Sequence, residues 1–134
     1  MASSYAELIS GRGDTAIPAF SIVALIGTVT AGALDVTLAA VGDVANVIGI
    51  TTDECAAGGL VSIMPLGRGG ATKVRAKFSE NIAIGDNITL SATDGVASDD
   101  GQYMIGKALS AGVSDADANA IIEIMTYPVS DLGT

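Results

Sequence analysis

Between residues 67 and 77 the sequence reads GRGGATKVRAK, which puts Arg68, Lys73, Arg75 and Lys77, four of the six basic side chains of the chain, on one short stretch. Lys73, Arg75 and Lys77 alternate with Val74 and Ala76. An extended segment here carries a basic ridge on one face and small apolar side chains on the other. The chemistry such a ridge offers is docking onto an acidic surface, either on another copy of the chain or on a different protein. Its purely structural counterpart is an edge strand whose charge keeps other sheets from pairing with it. The stretch is not a phosphate cradle. The spacing Gly-x-x-x-x-Gly-Lys-Ser/Thr is absent, and Val74 follows Lys73 where a hydroxyl is required.

Other residue types that could do chemistry are poorly placed for it. The chain has no His, so the commonest general base and the commonest metal ligand are both missing. Ser and Thr are plentiful but have no imidazole to activate them. Cys55 is the one cysteine, which rules out an intrachain disulfide; Asp53 and Glu54 beside it favour the thiol over the thiolate, so a small structural role is expected. Asp99, Asp100, Asp115 and Asp117 lie in Gly- and Asp-rich segments without the spacing of a calcium loop, and read as solvated loop tips. Arg12-Gly13-Asp14 contains the adhesion tripeptide, but nothing points to secretion, and a flexible turn is the expectation. We therefore read no catalytic residue, no cofactor site and no metal site, and expect a protein that is not an enzyme.

Composition bounds the rest. At 134 residues and net charge −9, the chain fits one domain and disfavours both nucleic acid and anionic membrane surfaces as partners. Hydrophobic residues make up 49% but aromatics only 4%, and charged residues are 16%, against about 25% in ordinary soluble domains. A core of Ala, Val, Ile and Leu buries less apolar area per residue than one with large rings, and few charges keep copies apart. Both features predict a homo-oligomer or a component of a larger assembly. The start lacks a signal-peptide pattern and the apolar run 16–29 is too short to cross a bilayer and contains Pro18, so synthesis in the cytoplasm is expected.

The elements that must position these residues are strands. From Phe20 onward Val, Ile and Thr recur in runs of five to eight, separated by Gly and Asp. The predicted strands are 20–30, 34–40, 46–52, 59–65, 71–77, 86–91, 95–98, 102–109 and 119–126. Gly85-Asp86 and Asp94-Gly95 mark strand ends, the second as a two-residue hairpin. The fold class is all-β, a small barrel or sandwich of eight to nine short strands. Residues 1–19 form an extended N-terminal arm, 20–126 the domain, and 127–134 a C-terminal tail.

An internal repeat is visible. VTLAA at 36–40 matches ITLSA at 88–92, VGDVA at 41–45 stands where TDGVA does at 93–97, NVIGITT at 46–52 matches YMIGKAL at 103–109, and LVSIMP at 60–65 matches IIEIMT at 121–126. The order is collinear, so the domain is expected to consist of two duplicated halves, each built as strand, hairpin, strand, loop, strand.

The grammar of the second half carries a resemblance. IAIGDNI at 82–88, TDGVA at 93–97, MIGKALSAG at 104–112 and IIEIM at 121–125, preceded by VIGITTDECAAGGLVSIMPLG at 47–67, resemble the small capsid decoration, or cement, proteins of tailed bacteriophages. The resemblance spans residues 16–126. It implies a β-domain that forms trimers on the outer surface of a capsid and stabilises contacts between major capsid subunits against the pressure of packaged DNA. No catalytic residue is implied. A second reading from the residues is a small β-barrel carrier or binding module of a cytoplasmic complex, although Lys73, Lys77 and Lys107 fall inside predicted strands rather than at the hairpin tip a carrier lysine needs.

Overall fold

The computed structural model describes residues 8–67, 70–76, 82–92, 95–111 and 120–133. Its strands are β1 (Ile9–Gly13), β2 (Ile22–Thr30), β3 (Ala33–Leu38), β4 (Val47–Thr51), β5 (Leu60–Pro65), β6 (Ala71–Ala76), β7 (Asn87–Leu90), β8 (Ala97–Ser98), β9 (Tyr103–Ala108) and β10 (Ala120–Asp131), with a 3-10 turn at Val41–Asn46 between β3 and β4. The chain is all-β, as the runs of β-branched residues predict.

Each half closes on itself. The first barrel runs β1-β3-β2-β4-β5 and back to β1; the second runs β6-β8-β7-β9-β10 and back to β6. Both contain one parallel pair, β1 with β3 and β6 with β8, and otherwise antiparallel pairs. The topology is therefore duplicated strand for strand, β1 to β5 onto β6 to β10. The two halves do not face each other to make one barrel; they are two barrels joined at a seam.

Registers confirm the duplication in detail. Gly49 stands opposite Pro65 and Ile50 opposite Met64; Gly106 stands opposite Thr126 and Lys107 opposite Met125. These are the equivalences given by the NVIGITT/YMIGKAL and LVSIMP/IIEIMT matches. The VTLAA/ITLSA match does not hold. ITLSA begins in β7, whose topological counterpart is β2, whereas VTLAA lies at the end of β3. In the true equivalence IVAL of β2 corresponds to NITL of β7, since Val23 pairs with Gly49 as Ile88 pairs with Gly106.

Two further expectations change. Residues 9–13, inside the stretch read as an arm, form β1, which closes the first barrel between β3 and β5. Arg12-Gly13-Asp14 is thus not a flexible turn: Arg12 and Gly13 belong to β1, and the Asp14 N–H donates to the Val36 carbonyl at 3.0 Å. The stretch read as a tail is also structural, because β10 continues to Asp131 and regains pairing with β9 at Ser130 and Asp131 after a register shift. Pro128 sits within that shift, where a missing N–H leaves no ladder bond unmade.

The first barrel encloses Val23, Val36, Val61 and Ile63, with Ile17 beside them. A larger cluster fills the second barrel with Val74, Ile88, Leu90, Ile105, Ile122 and Ile124, and it extends to Ile22, Ala24, Ala39 and Ile50 of the first. β2 therefore buries both faces, Val23 inward and Ile22 and Ala24 toward the second barrel, which explains its unbroken apolar run. Ile22 and Ile50 are both 0% exposed; covering each contributes about 1.5–3 kcal/mol toward holding the barrels together. All buried side-chain polar atoms among the described residues have hydrogen-bond partners.

Hydrogen bonds complete the seam. The Ile22 N–H donates to the Gly95 carbonyl at 3.0 Å, and the Gly95 N–H donates to the Ala39 carbonyl at 2.6 Å. The loop between β7 and β8 thus reaches into the end of the β2–β3 ladder. Asp94 lies outside the described residues, and the connection expected as a two-residue hairpin is longer. β7 ends at Leu90 and β8 starts at Ala97, and the longer connection delivers the Gly95 backbone to the other barrel.

Candidate docking face

β6 supplies the basic ridge. Its alternation is as read: Val74 and Ala76 are 0% exposed inside the second barrel, and Lys73 and Arg75 point outward. Arg68 and Lys77 lie outside the described residues. β6 pairs with β10 from Ala71 to Ala76 and meets β8 at the single position Ala76 opposite Ala97. Its remaining contact is with the first barrel, where the Arg75 N–H donates to the Phe20 carbonyl at 2.8 Å.

The two described cations differ in environment. Lys73 is exposed, opposite Glu123 of β10, and its Nζ lies 5.9 Å from the centroid of the Phe20 ring. That is the outer range of a cation–π contact, about 0.5–1 kcal/mol at an exposed site. Arg75 is half-buried, and its Nη1 donates to Ser21 Oγ at 3.4 Å. Ser21 Oγ donates to the Pro18 carbonyl at 2.8 Å, and Thr51 Oγ1, which accepts from the Ser21 N–H, donates to the same carbonyl at 3.0 Å. This polar cluster holds Phe20 at φ 63, a left-handed conformation that a bulky residue adopts only under tertiary constraint. Arg75 therefore belongs to the seam, and Lys73 is the freer of the two.

Beside Lys73 an open groove of about 380 Å³ is lined by Lys73, Ser110, Ile121, Ile122 and Glu123. The Glu123 N–H donates to Ser110 Oγ at 2.9 Å, which fixes the loop after β9 against β10. The face combines one cation, one carboxylate and the exposed Ile121, a mixture suited to a protein surface.

The duplication places a related arrangement on the first barrel. Arg12 stands opposite Leu60 as Arg75 stands opposite Ile121. Arg12 is tied down locally: its Nη1 donates to the Gly58 carbonyl at 2.6 Å and its Nε to the Thr30 carbonyl at 3.3 Å. Cys55 is half-buried against the first core and bridges to Ile17, which is a packing role.

One feature escaped sequence reading. The β2–β3 hairpin exposes Ile26 at 46%, Val29 at 62% and Leu34 at 38%, and Leu8, just before β1, is exposed at 52%. The available signal was the absence of any charged residue from Thr15 to Leu34, in a chain of net charge −9.

No protein-family model and no curated protein matches the chain. Among solved structures it is similar to the N base of the head fiber gp8.5 of bacteriophage phi29, with 20% identity and a TM-score of 0.59 over 96% of this chain and 98% of that one. At that identity the likeness is one of fold, and it takes in both barrels.

Proposed function

We propose that this chain is a structural protein of a phage virion: a trimeric decoration, or cement, protein on the outer surface of the capsid that stabilises contacts between major capsid subunits. The observation that carries this reading is the likeness of fold, end to end over both chains, to a base domain of a phage head fiber. A two-barrel body with a hydrogen-bonded apolar seam suits a mechanical role, because load on either barrel passes to the other through backbone contacts. The small-residue composition and low charge density favour burial against neighbours. In this reading Lys73 and Arg75, with Arg68 and Lys77 next to them in sequence, form the ridge that meets an acidic patch of the shell.

The test is co-sedimentation of the purified chain with assembled shells of the phage that encodes it, with unassembled capsid subunits as the control. Saturable binding to shells, absent with free subunits, and a higher temperature of shell disruption are expected. A chain that stays in the supernatant at every concentration contradicts the reading.

A further inference from the structure

We infer that copies of this chain associate through the projecting end of the β2–β3 hairpin, so that Ile26, Val29 and Leu34 of one copy pack against the same residues of another. That the closed assembly has three members rests on the function proposed above; the face itself does not.

Three observations lead to a second copy as the occupant. The first is charge. In a chain of net charge −9 an uncharged surface is where two copies meet with least repulsion, and the segment from Thr15 to Leu34 carries no charge. Within it Ile26, Val29 and Leu34 stand exposed, and Val29 and Leu34 are direct cross-strand partners. β1 runs parallel to β3 with Gly11 opposite Leu34, which puts Leu8 at the same end.

The second is the duplication. The hairpin equivalent to β2–β3 is β7–β8, and Gly95 in its connection is already bonded to a barrel of the same fold. The chain thus contains one instance of this hairpin end covered by a copy of the barrel. Head-to-tail repetition of that contact is blocked. The receiving face of the first barrel, Ile22 opposite Ile50, is buried under the second barrel, and its equivalent on the second barrel is Asn87 opposite Lys107. A polar terminal face ends a stack of repeats. With no acceptor for linear growth, like hairpins are left to meet about a rotation axis, which yields a closed oligomer.

The third is preorganisation. Thr28 Oγ1 and Thr30 Oγ1 donate to Asp35 Oδ2 at 2.6 and 2.8 Å, and Arg12 Nε holds the Thr30 carbonyl. The Thr28 and Thr30 hydroxyls and the Asp35 carboxylate are thereby held within the chain, so less side-chain freedom is lost on association.

Solution mass measured by light scattering on the full chain tests this. The wild type is expected to exceed its 13.2 kDa monomer mass, whereas V29E and I26E fall to monomer, with dissociation raised at least about tenfold and the β-type circular dichroism spectrum unchanged. I84E is the control: Ile84 is 71% exposed just before β7 of the second barrel, and its variant keeps the wild-type mass. A wild type that remains monomeric up to about 100 μM overturns the proposal without recourse to any variant. So do V29E and I26E variants that keep the oligomer, or an I84E variant that alone dissolves it. No shell enters the measurement, so its outcome is independent of shell binding.

Discussion

Gly49 and Gly106 occupy the same register position in the two barrels, and a Cβ on either would run into the carbonyl oxygen of the methionine across the ladder, Met64 or Met125. The obstacle is backbone in both cases, so the strand pair must separate for the side chain to fit. Gly49→Ala and Gly106→Ala should therefore each destabilise the protein, by roughly 1–3 kcal/mol as overpacking does. Thermal unfolding would show this as a Tm lower by roughly 3–12 °C for a chain of this size. Two variants with unchanged Tm would mean that the ladders do not hold this register.

Gly95 isolates the contribution of the seam. Its φ is 77, and an added Cβ would lie 2.6 Å from Leu38 Cδ2 in the other barrel; Gly85 has φ 92 with open space around it. Gly85→Ala should cost about 1–2 kcal/mol for the left-handed backbone alone, and Gly95→Ala should cost that plus about 0.5–1.5 kcal/mol for pushing the Leu38 side chain off its rotamer at the seam. Denaturant midpoints compare the two directly. Equal losses would show that the Gly95 contact contributes nothing beyond local geometry.

The strands with β-branched alternation were legible in the sequence, and so were the pairing of NVIGITT with YMIGKAL and the inward-outward assignment around Val74. β1 was not, because Gly11 and Gly13 read as breakers. Both are closely packed: a Cβ at Gly11 would lie 2.8 Å from Ile63 Cδ1 and 3.2 Å from Val36 inside the barrel, and one at Gly13 would lie 2.7 Å from the carbonyl oxygen of Thr15 just beyond the strand. The mismatch of VTLAA with ITLSA arose because two different strands share a Val/Ile-Thr-Leu pattern, and only pairing partners distinguish them. The second role of Arg75 was equally hidden, since nothing local to residue 75 announces Ser21 and Phe20 across the seam.

Acid should weaken the first hairpin. Hydrogen bonds from Thr28 and Thr30, with the Arg12 charge adding to them against partial desolvation, hold the Asp35 carboxyl below its ordinary value of 3.8. A carboxyl whose pKa is lower folded than unfolded binds fewer protons in the folded state. Its stabilisation is complete above the unfolded value and is lost as pH falls through the folded one. Asp131 behaves likewise, held down by the Gln102 side chain and the Gly133 N–H. Carboxyl NMR titration should place Asp35 below 3.8 in the wild type and closer to it in Thr28→Val. A Thr28→Val variant with an unmoved Asp35 titration would remove the hydroxyl as its cause.

Lys73 and Arg75 can be separated by pairing a binding assay with a stability assay. Lys73 is exposed and outside the seam, so Lys73→Glu should lower Tm only slightly, by about 1 kcal/mol of stability for the lost Phe20 contact and a second carboxylate opposite Glu123. Arg75 reaches Ser21 across the seam, so Arg75→Glu should lower Tm as well, whereas Arg75→Lys keeps the charge and loses the guanidinium geometry. If the ridge meets an acidic shell surface, Lys73→Glu weakens shell binding by about tenfold or more, with a salt dependence shallower than that of the wild type. Binding that is unaffected by Lys73→Glu and falls only when Arg75→Glu destabilises the fold would assign the charges of β6 to the seam and move the shell contact elsewhere on the molecule.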